Sequence, residues 1–163
     1  MYLGNFIKNL SRKYYKINFS GLAFNSKKVK KNYIFFAFKG NKLNGNRYIF
    51  DAIKRGAKII VSDENLEIKK KNIIFIINKK PRKILAEISF KLLTKKPENL
   101  VAVTGTNGKS SVSDFYYQIL NLNNKRSASI GTVGIQFDNK NKTIGNTTLD
   151  PITLMETINH LSK

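Results

Sequence analysis

The residues with the clearest chemical potential are Leu100, Val101, Ala102, Val103, Thr104, Gly105, Thr106, Asn107, Gly108, Lys109, Ser110 and Ser111, which follow one another without interruption. The apolar run 100–103 predicts a short buried strand, and the apolar-periodic stretch 112–122 predicts a helix. Between them, Gly105 and Gly108 flank a tight turn. Glycine lets the backbone turn sharply and approach an anion with no Cβ in the way. The loop N–H groups and the first helical turn point at that anion, and the helix dipole favours negative charge there. Lys109 is then placed to reach the outer phosphates of a nucleotide, and the Ser110 hydroxyl to hold Mg²⁺. The general phosphate loop has four residues between its first glycine and the Gly-Lys-Ser/Thr end. Here only Thr106 and Asn107 lie between. The flanking strand and helix supply the context that favours phosphate chemistry over a plain glycine turn with a solvated lysine.

Elements that could position such a loop run through the whole chain. Leu3, Phe6, Ile7 and Leu10 have helical spacing over 2–10. A short, loosely alternating strand is expected at 17–24, and a strong one at 33–38, rich in aromatic and β-branched residues. The Asn- and Gly-rich stretch 40–46 is a loop. A helix over 48–55 ends at Gly56. Strands follow at 58–61 and 72–77. Pro81 opens a helix at its favoured position, with Ile84, Leu85, Ile88, Leu92 and Leu93 on its buried face. Lys95, Lys96, Pro97 and Glu98 form a polar break, so the chain divides into domains 1–96 and 97–163. After the glycine loop and its helix, a strand is expected at 127–132, then a hairpin from 133 with turn residues 138–141. A last helix starts at Pro151, with Leu154, Met155, Ile158 and Leu161 on one side and Asp150 as its cap. Strands alternating with helices give an α/β class. One strand-loop-helix-strand unit cannot close a doubly wound sheet, so 97–163 reads as the beginning of a domain and the chain as the front part of a longer protein.

The 163 residues carry a net charge of +20, from thirty Lys and Arg against ten Asp and Glu. That balance raises the question of nucleic acid. The cations are dispersed, and Tyr33, Phe35, Phe36 and Phe38 fall in one apolar run, unlike a basic face interleaved with stacking aromatics. A nucleic-acid partner is therefore not expected, although a positive field favours anionic substrates. There are no cysteines, which excludes disulfides and thiolate metal sites. The N-terminus lacks the pattern of a secretory signal, and no apolar run approaches a membrane span. A cytoplasmic, monomeric protein without membrane partners is expected. His160, the single histidine, has no metal-ligand partner nearby and reads as a surface or packing residue. Met155, Tyr116 and Tyr117 read as packing residues.

Several stretches together resemble one family. The run from Val103 to Ser111 is similar to the short ATP loop of the Mur ligases. Upstream, Asn25, Ser26 and Lys27, the run 33–40, Asn44 and Gly45 with Tyr48, Ile49 and Ala52, and Gly56 with Ala57 resemble the UDP-binding first domain of the MurE and MurF types. Downstream, Ile130, Gly131, Thr132, Val133 and Gly134, and the run 146–151, resemble the MurE type. Departures are present. The family usually has Asp at Asn25, Arg at Lys27, His at Asn41, Asp at Asn44 and Pro at Leu149. Asn25 and Asn44 keep hydrogen-bonding capacity without charge, and Lys27 lacks the bidentate fork of Arg.

The resemblance implies an ATP-dependent ligase of peptidoglycan synthesis. Its substrates would be UDP-N-acetylmuramoyl-L-alanyl-D-glutamate and a diamino acid, meso-diaminopimelate or L-lysine, with Mg²⁺ and an acyl phosphate intermediate. Gly105, Thr106, Asn107, Gly108, Lys109, Ser110 and Ser111 would bind ATP, Lys109 acting in catalysis and Ser110 on the metal. Ser26 would contact the uridine or its diphosphate, with Phe24, Asn41, Lys42 and Leu43 lining the same pocket. Asn146, Thr147 and Thr148 would hold the muramoyl dipeptide. The bland alternatives are a turn cap at Asn25 and Ser26 and a capping cluster before Pro151. A Glu, a His and a modified Lys of the family's middle domain, and its C-terminal domain, fall outside these 163 residues, so this stretch alone is not expected to catalyse. The rival readings are a MurF-type ligase, a folate polyglutamate ligase, which shares the short loop, a UDP-sugar or nucleotide binding module, and an RNA-binding protein.

Overall fold

A computed structural model describes residues 1–7, 10–40, 44–65, 72–144 and 148–162. They form two compact units, Met1–Leu92 and Leu93–Lys163.

The first unit is built on a four-stranded parallel sheet, β1 (Gly21–Ala23), β2 (Tyr33–Ala37), β3 (Ala57–Ser62) and β4 (Ile74–Ile77), paired in that order. Parallel strands are covered on both faces, so they read as continuous apolar runs rather than alternating ones. That is the pattern of β2 and β3, where Ile34, Phe35, Phe36, Ile59, Ile60 and Val61 are all buried. On one face Phe35, Ala37 and Ile60 pack with Ile49 and Ala52 of helix α1 (Ile49–Lys54). Helix α2 (Pro81–Lys91) buries Ile84, Leu85 and Ile88 and also touches β2. Pro81 stands at its first turn, as expected.

The expected N-terminal helix does not form. Leu3–Asn5 makes a single 3-10 turn. The Leu3 and Gly4 N–H groups donate instead to the Ile17 and Tyr15 carbonyls, at 2.8 and 3.2 Å. Gly4 and Asn5 are poor helix formers, and a tertiary ladder takes the donors a helix would have left free. The apolar spacing serves burial all the same: Leu3 and Ile7 are in the core.

The second unit holds helix α3 (Lys109–Leu122), an antiparallel sheet of β5 (Ala128–Gly131), β6 (Gly134–Phe137) and β7 (Lys140–Lys142), and helix α4 (Pro151–Leu161). Asp138 and Asn139 join β6 to β7 with φ of 48° and 57°. Two consecutive left-handed residues are what a type I′ hairpin turn requires. Asp150 caps α4, its carboxylate accepting from the Ile152 and Thr153 N–H groups, both at 3.0 Å.

The buried strand expected at 100–103 is absent. Leu100 is 67% exposed and Val101 58%, with no ladder hydrogen bonds. A strand needs a neighbour, and among the described residues of this unit β5, β6 and β7 pair only with one another. Helix α3 shows the same shortage of cover. Ser113 meets Ser129 of β5 and Tyr117 is buried, while Val112, Phe115, Ile119 and Leu122 form an exposed apolar stripe. Of the two tyrosines expected to pack, Tyr117 is buried and Tyr116 is exposed. Met155 is half-buried and His160 lies on the surface.

Candidate functional site

The glycine loop leads into α3 as its residue types demand. Gly105 and Gly108 have φ of 144° and 76°, and Gly108 is the left-handed residue from which the helix starts. An added Cβ at Gly108 would meet nothing within 4 Å. Backbone conformation, not lack of space, therefore calls for glycine there. The Val112 N–H is donated to the Gly108 carbonyl at 2.9 Å. The N–H groups of the preceding helical residues have no carbonyl behind them and face outward, as at any helix start. No acidic residue stands in this first turn, so the helix end is uncompensated positive potential. Lys109 folds back over the loop, its Nζ donating to the Gly105 and Thr106 carbonyls at 2.6 and 3.0 Å. Ser110 and Ser111 follow, exposed on the first turn, and Thr106 and Asn107 are exposed in the loop.

Side chains behind the loop hold α3 in place. Ser113 Oγ lies 2.8 Å from Ser129 Oγ on β5. Asp114 accepts from Gln136 of β6 at 3.1 Å and from Gln118 at 2.7 Å. An anion would thus meet a loop rich in N–H groups, one ammonium and two free-standing hydroxyls. The Ser110 hydroxyl suits a hard cation that prefers oxygen ligands. Among the described residues no group of three His, Cys, Asp or Glu gathers to hold a metal.

In the first unit, the chain leaves β1 at Phe24 and enters a 3-10 turn, Ser26–Lys28. Asn25 caps that turn, its Oδ1 accepting from the Lys27 N–H at 3.0 Å. Ser26 is buried and Phe24 is exposed. Asp51 on α1 has its carboxyl held below the ordinary 3.8, first by a hydrogen bond with the Ser26 side chain, then by Arg55. The Arg55 Nε lies 3.1 Å from both Asp51 oxygens. Of the other expected site residues, Thr148 is exposed, whereas Asn41, Lys42, Leu43, Asn146 and Thr147 lie outside the described residues.

Asp63, Asn46 and Arg82, near the ends of β2 and β3, escaped the sequence reading. Asp63 accepts from the Lys39 N–H at 3.2 Å and from the Asn46 amide at 3.4 Å. The Arg82 guanidinium lies 4.4 Å from the centre of the Phe38 ring. Asp63 had one legible signal: it is an acidic residue directly after a buried strand in a chain with thirty cations.

Comparison with known proteins gives two family matches. A family described as Mur ligase family, catalytic domain, matches residues 18–91, and one described as Mur ligase middle domain matches residues 103–163. The UDP-N-acetylmuramoyl-L-alanyl-D-glutamate–2,6-diaminopimelate ligase of Rickettsia conorii is 41% identical over 128 residues, covering 78% of this chain and 26% of that protein. The protein of the same name from Rickettsia montanensis is 36% identical over 159 residues, covering 95% of this chain and 33% of its own. The chain thus spans between a quarter and a third of the length of these curated relatives. Among solved structures, one of a ligase bearing that name is similar in fold, with a TM-score of 0.76 at 24% identity over 94% of this chain and 31% of that one. The MurF ligase of Thermotoga maritima, solved in complex with ADP, has a TM-score of 0.54 at 25% identity, covering 82% of this chain and 28% of that one.

Proposed function

Because the chain belongs to the Mur ligase family, we propose that it carries nucleotide- and substrate-binding parts of an ATP-dependent, amide-forming ligase. The substrates of the whole reaction are UDP-N-acetylmuramoyl-L-alanyl-D-glutamate and 2,6-diaminopimelate, the pair in the relatives' names. Those names favour diaminopimelate over lysine, and this ligase over a MurF type. The setting is the cytoplasm, where ATP and UDP-linked sugars are held.

In this reading a substrate carboxylate oxygen attacks the γ-phosphorus of ATP and ADP leaves. The amine of the diamino acid then attacks the acyl carbon of the resulting acyl phosphate, inorganic phosphate leaves with the C–O electron pair, and the nitrogen gives up a proton to water. Most of the protein's work is positioning and charge stabilisation. The N–H groups from Gly105 to Gly108 cradle phosphate, and Lys109 leaves its two carbonyls to neutralise charge between the β- and γ-phosphates. Ser110 would be among the residues holding a Mg²⁺ ion, which would supply further neutralisation of that charge. In the first unit Phe24, Ser26, Asn41, Lys42 and Leu43 receive the UDP end. Asn146, Thr147 and Thr148 receive the dipeptide.

The single observation that carries this reading is the left-handed Gly108 placing Lys109 over the loop carbonyls at the bare start of α3. Hydrogen exchange of the whole chain with and without a Mg²⁺-bound, non-hydrolysable ATP analogue tests it. The amides of 104–112 should exchange more slowly when the analogue is present; unchanged exchange would remove the nucleotide from this loop. For the UDP end, Ser26→Ala should weaken binding of the UDP-muramoyl dipeptide by about 1 kcal/mol, the scale of one neutral hydrogen bond. Equal affinity in titration calorimetry would take Ser26 out of the site.

A further inference from the structure

Two Asn-Gly pairs occur in the chain, Asn44 with Gly45 and Asn107 with Gly108. Such a pair carries its own nucleophile. The glycine nitrogen can close a five-membered ring on the carbonyl carbon of the Asn side chain, and glycine has no side chain to obstruct the approach. In a folded chain the reaction depends on whether that nitrogen and that amide are held elsewhere.

The two pairs are held very differently. The Gly45 N–H donates to the Phe38 carbonyl at 3.0 Å, and Asn44 Oδ1 accepts from the Asn46 N–H at 2.9 Å. A Cβ on Gly45 would come within 2.9 Å of the Phe38 backbone nitrogen and oxygen. Both groups that would have to meet are therefore engaged, in a closely packed place. Asn107 and Gly108 are exposed. Among the described residues no hydrogen bond holds the Asn107 side chain or the Gly108 N–H. Nothing crowds them, since a Cβ at Gly108 would meet no atom within 4 Å. The Lys109 ammonium is fixed on the same loop by the Gly105 and Thr106 carbonyls. Its charge, with the positive start of α3, favours the negative charge that builds up as the ring closes.

We propose that Asn107 and Gly108 form a self-modification site, where loss of ammonia turns the phosphate loop into one that rejects phosphate. The Gly108 nitrogen gives its proton to water and its electron pair to Asn107 Cγ. The bond from Cγ to Nδ2 breaks, and that nitrogen takes up a proton and leaves as ammonia. Water then opens the ring, to aspartate or to the isomer whose main chain runs through the side-chain carbonyl. An amide and one water become a carboxylate and an ammonium ion, with no oxidant or reductant. Either product sets a negative charge among N–H groups that would hold phosphate. A bound nucleotide would occupy those N–H groups, so a filled loop is protected and an empty one ages. The proposal rests on the nucleotide reading above.

Peptide mapping by mass spectrometry, on the whole chain incubated at mildly alkaline pH, tests the chemistry without reference to ATP. In the native chain Asn107 should convert at least about tenfold faster than Asn44, whose surroundings must open first. In urea the two rates should come within about threefold of each other, because only the local pair then counts. A Mg²⁺-bound, non-hydrolysable ATP analogue, well above its dissociation constant, should slow Asn107 at least about tenfold and leave Asn44 unchanged. Asn107→Asp should bind the analogue at least about tenfold more weakly in calorimetry, with a melting temperature within about 2 °C of the original. Native rates that are equal at Asn107 and Asn44 overturn the modification site. An analogue that binds without slowing Asn107 overturns the protection, and unchanged affinity in Asn107→Asp overturns the loss of phosphate binding. Failure of the unsubstituted chain to bind the analogue overturns the nucleotide reading, and the switch with it, even where Asn107 converts fast.

Discussion

The Lys109 ammonium lies 2.6 Å from the Gly105 carbonyl oxygen, four residues back along the same loop. A cation at the first turn of a helix is opposed by the dipole, at a cost of a few tenths of a kcal/mol. The Gly105 and Thr106 carbonyls offset that cost and keep the ammonium at the loop. They are also weaker partners than a phosphate, because neither carries a full charge.

That relationship separates folding from binding. Lys109→Ala should melt within about 2 °C of the original chain, since one small unfavourable and one small favourable effect are removed together. Its affinity for Mg²⁺-bound ATP should fall at least about tenfold. Calorimetry showing equal affinity would leave Lys109 as a lysine tied to its own loop and nothing more.

Gly108 invites a graded substitution. Its φ of 76° is left-handed, and an added side chain would meet no atom within 4 Å. The cost of replacing it is therefore conformational. Gly108→Val should lose about 1–2 kcal/mol of stability in urea unfolding, and Gly108→Asn clearly less, because Asn visits this region more readily. Equal midpoints for the two variants would mean that the loop relaxes away from the left-handed conformation.

Asp51 sets a pH dependence. Its carboxyl titrates below the ordinary 3.8, owing first to the Ser26 side chain and then to Arg55. A depressed pKa in the folded state contributes stability that is fully present above the unfolded value and is lost as pH falls through the folded one. Asp51→Asn should therefore flatten the fall in melting temperature below about pH 4 and leave the neutral-pH slope unchanged. Parallel acid-limb curves for the two chains would show that the Ser26 and Arg55 interactions do not favour the charged carboxylate.

Lys95, Lys96 and Glu98 are exposed, beside Pro97, in the stretch after α2. Exposed polar segments of this kind are where proteases cut first. Brief trypsin treatment should release a fragment ending at Lys95, because Pro97 shields the bond after Lys96. A first cut elsewhere, with the 93–98 stretch intact, would argue that this connection is protected.

How far the sequence reached depended on what each element needs. The run from Tyr33 to Phe38 was legible because a parallel strand covered on both faces shows its burial in composition alone, and Phe35 and Phe36 are in the core. Pro81, Asp150 and the Asp138 and Asn139 turn were legible because their roles follow from local chemistry. Leu100 and Val101 misled, because an apolar run reports the wish for a neighbour and not its presence. Leu3, Phe6 and Ile7 misled differently: their spacing suits a helix, yet the Leu3 N–H goes to Ile17, a partner fixed only by tertiary folding. In the candidate site, the glycine loop announced itself through residue type and order. Asp63 did not, since its meaning depends on Lys39 and Asn46, seventeen or more residues away in sequence.

The uncovered side of α3 has a colloidal consequence. Val112, Phe115, Ile119 and Leu122 present a sticky stripe on a molecule whose net charge is +20. Mutual repulsion reaches about 30 Å in 0.01 M salt but only about 3 Å in 1 M salt. Dilute buffer should keep the molecules dispersed, and added sodium chloride should make them cluster. Turbidity would rise with salt, the reverse of ordinary salting-in, and Phe115→Lys with Ile119→Lys should abolish that rise without lowering the melting temperature.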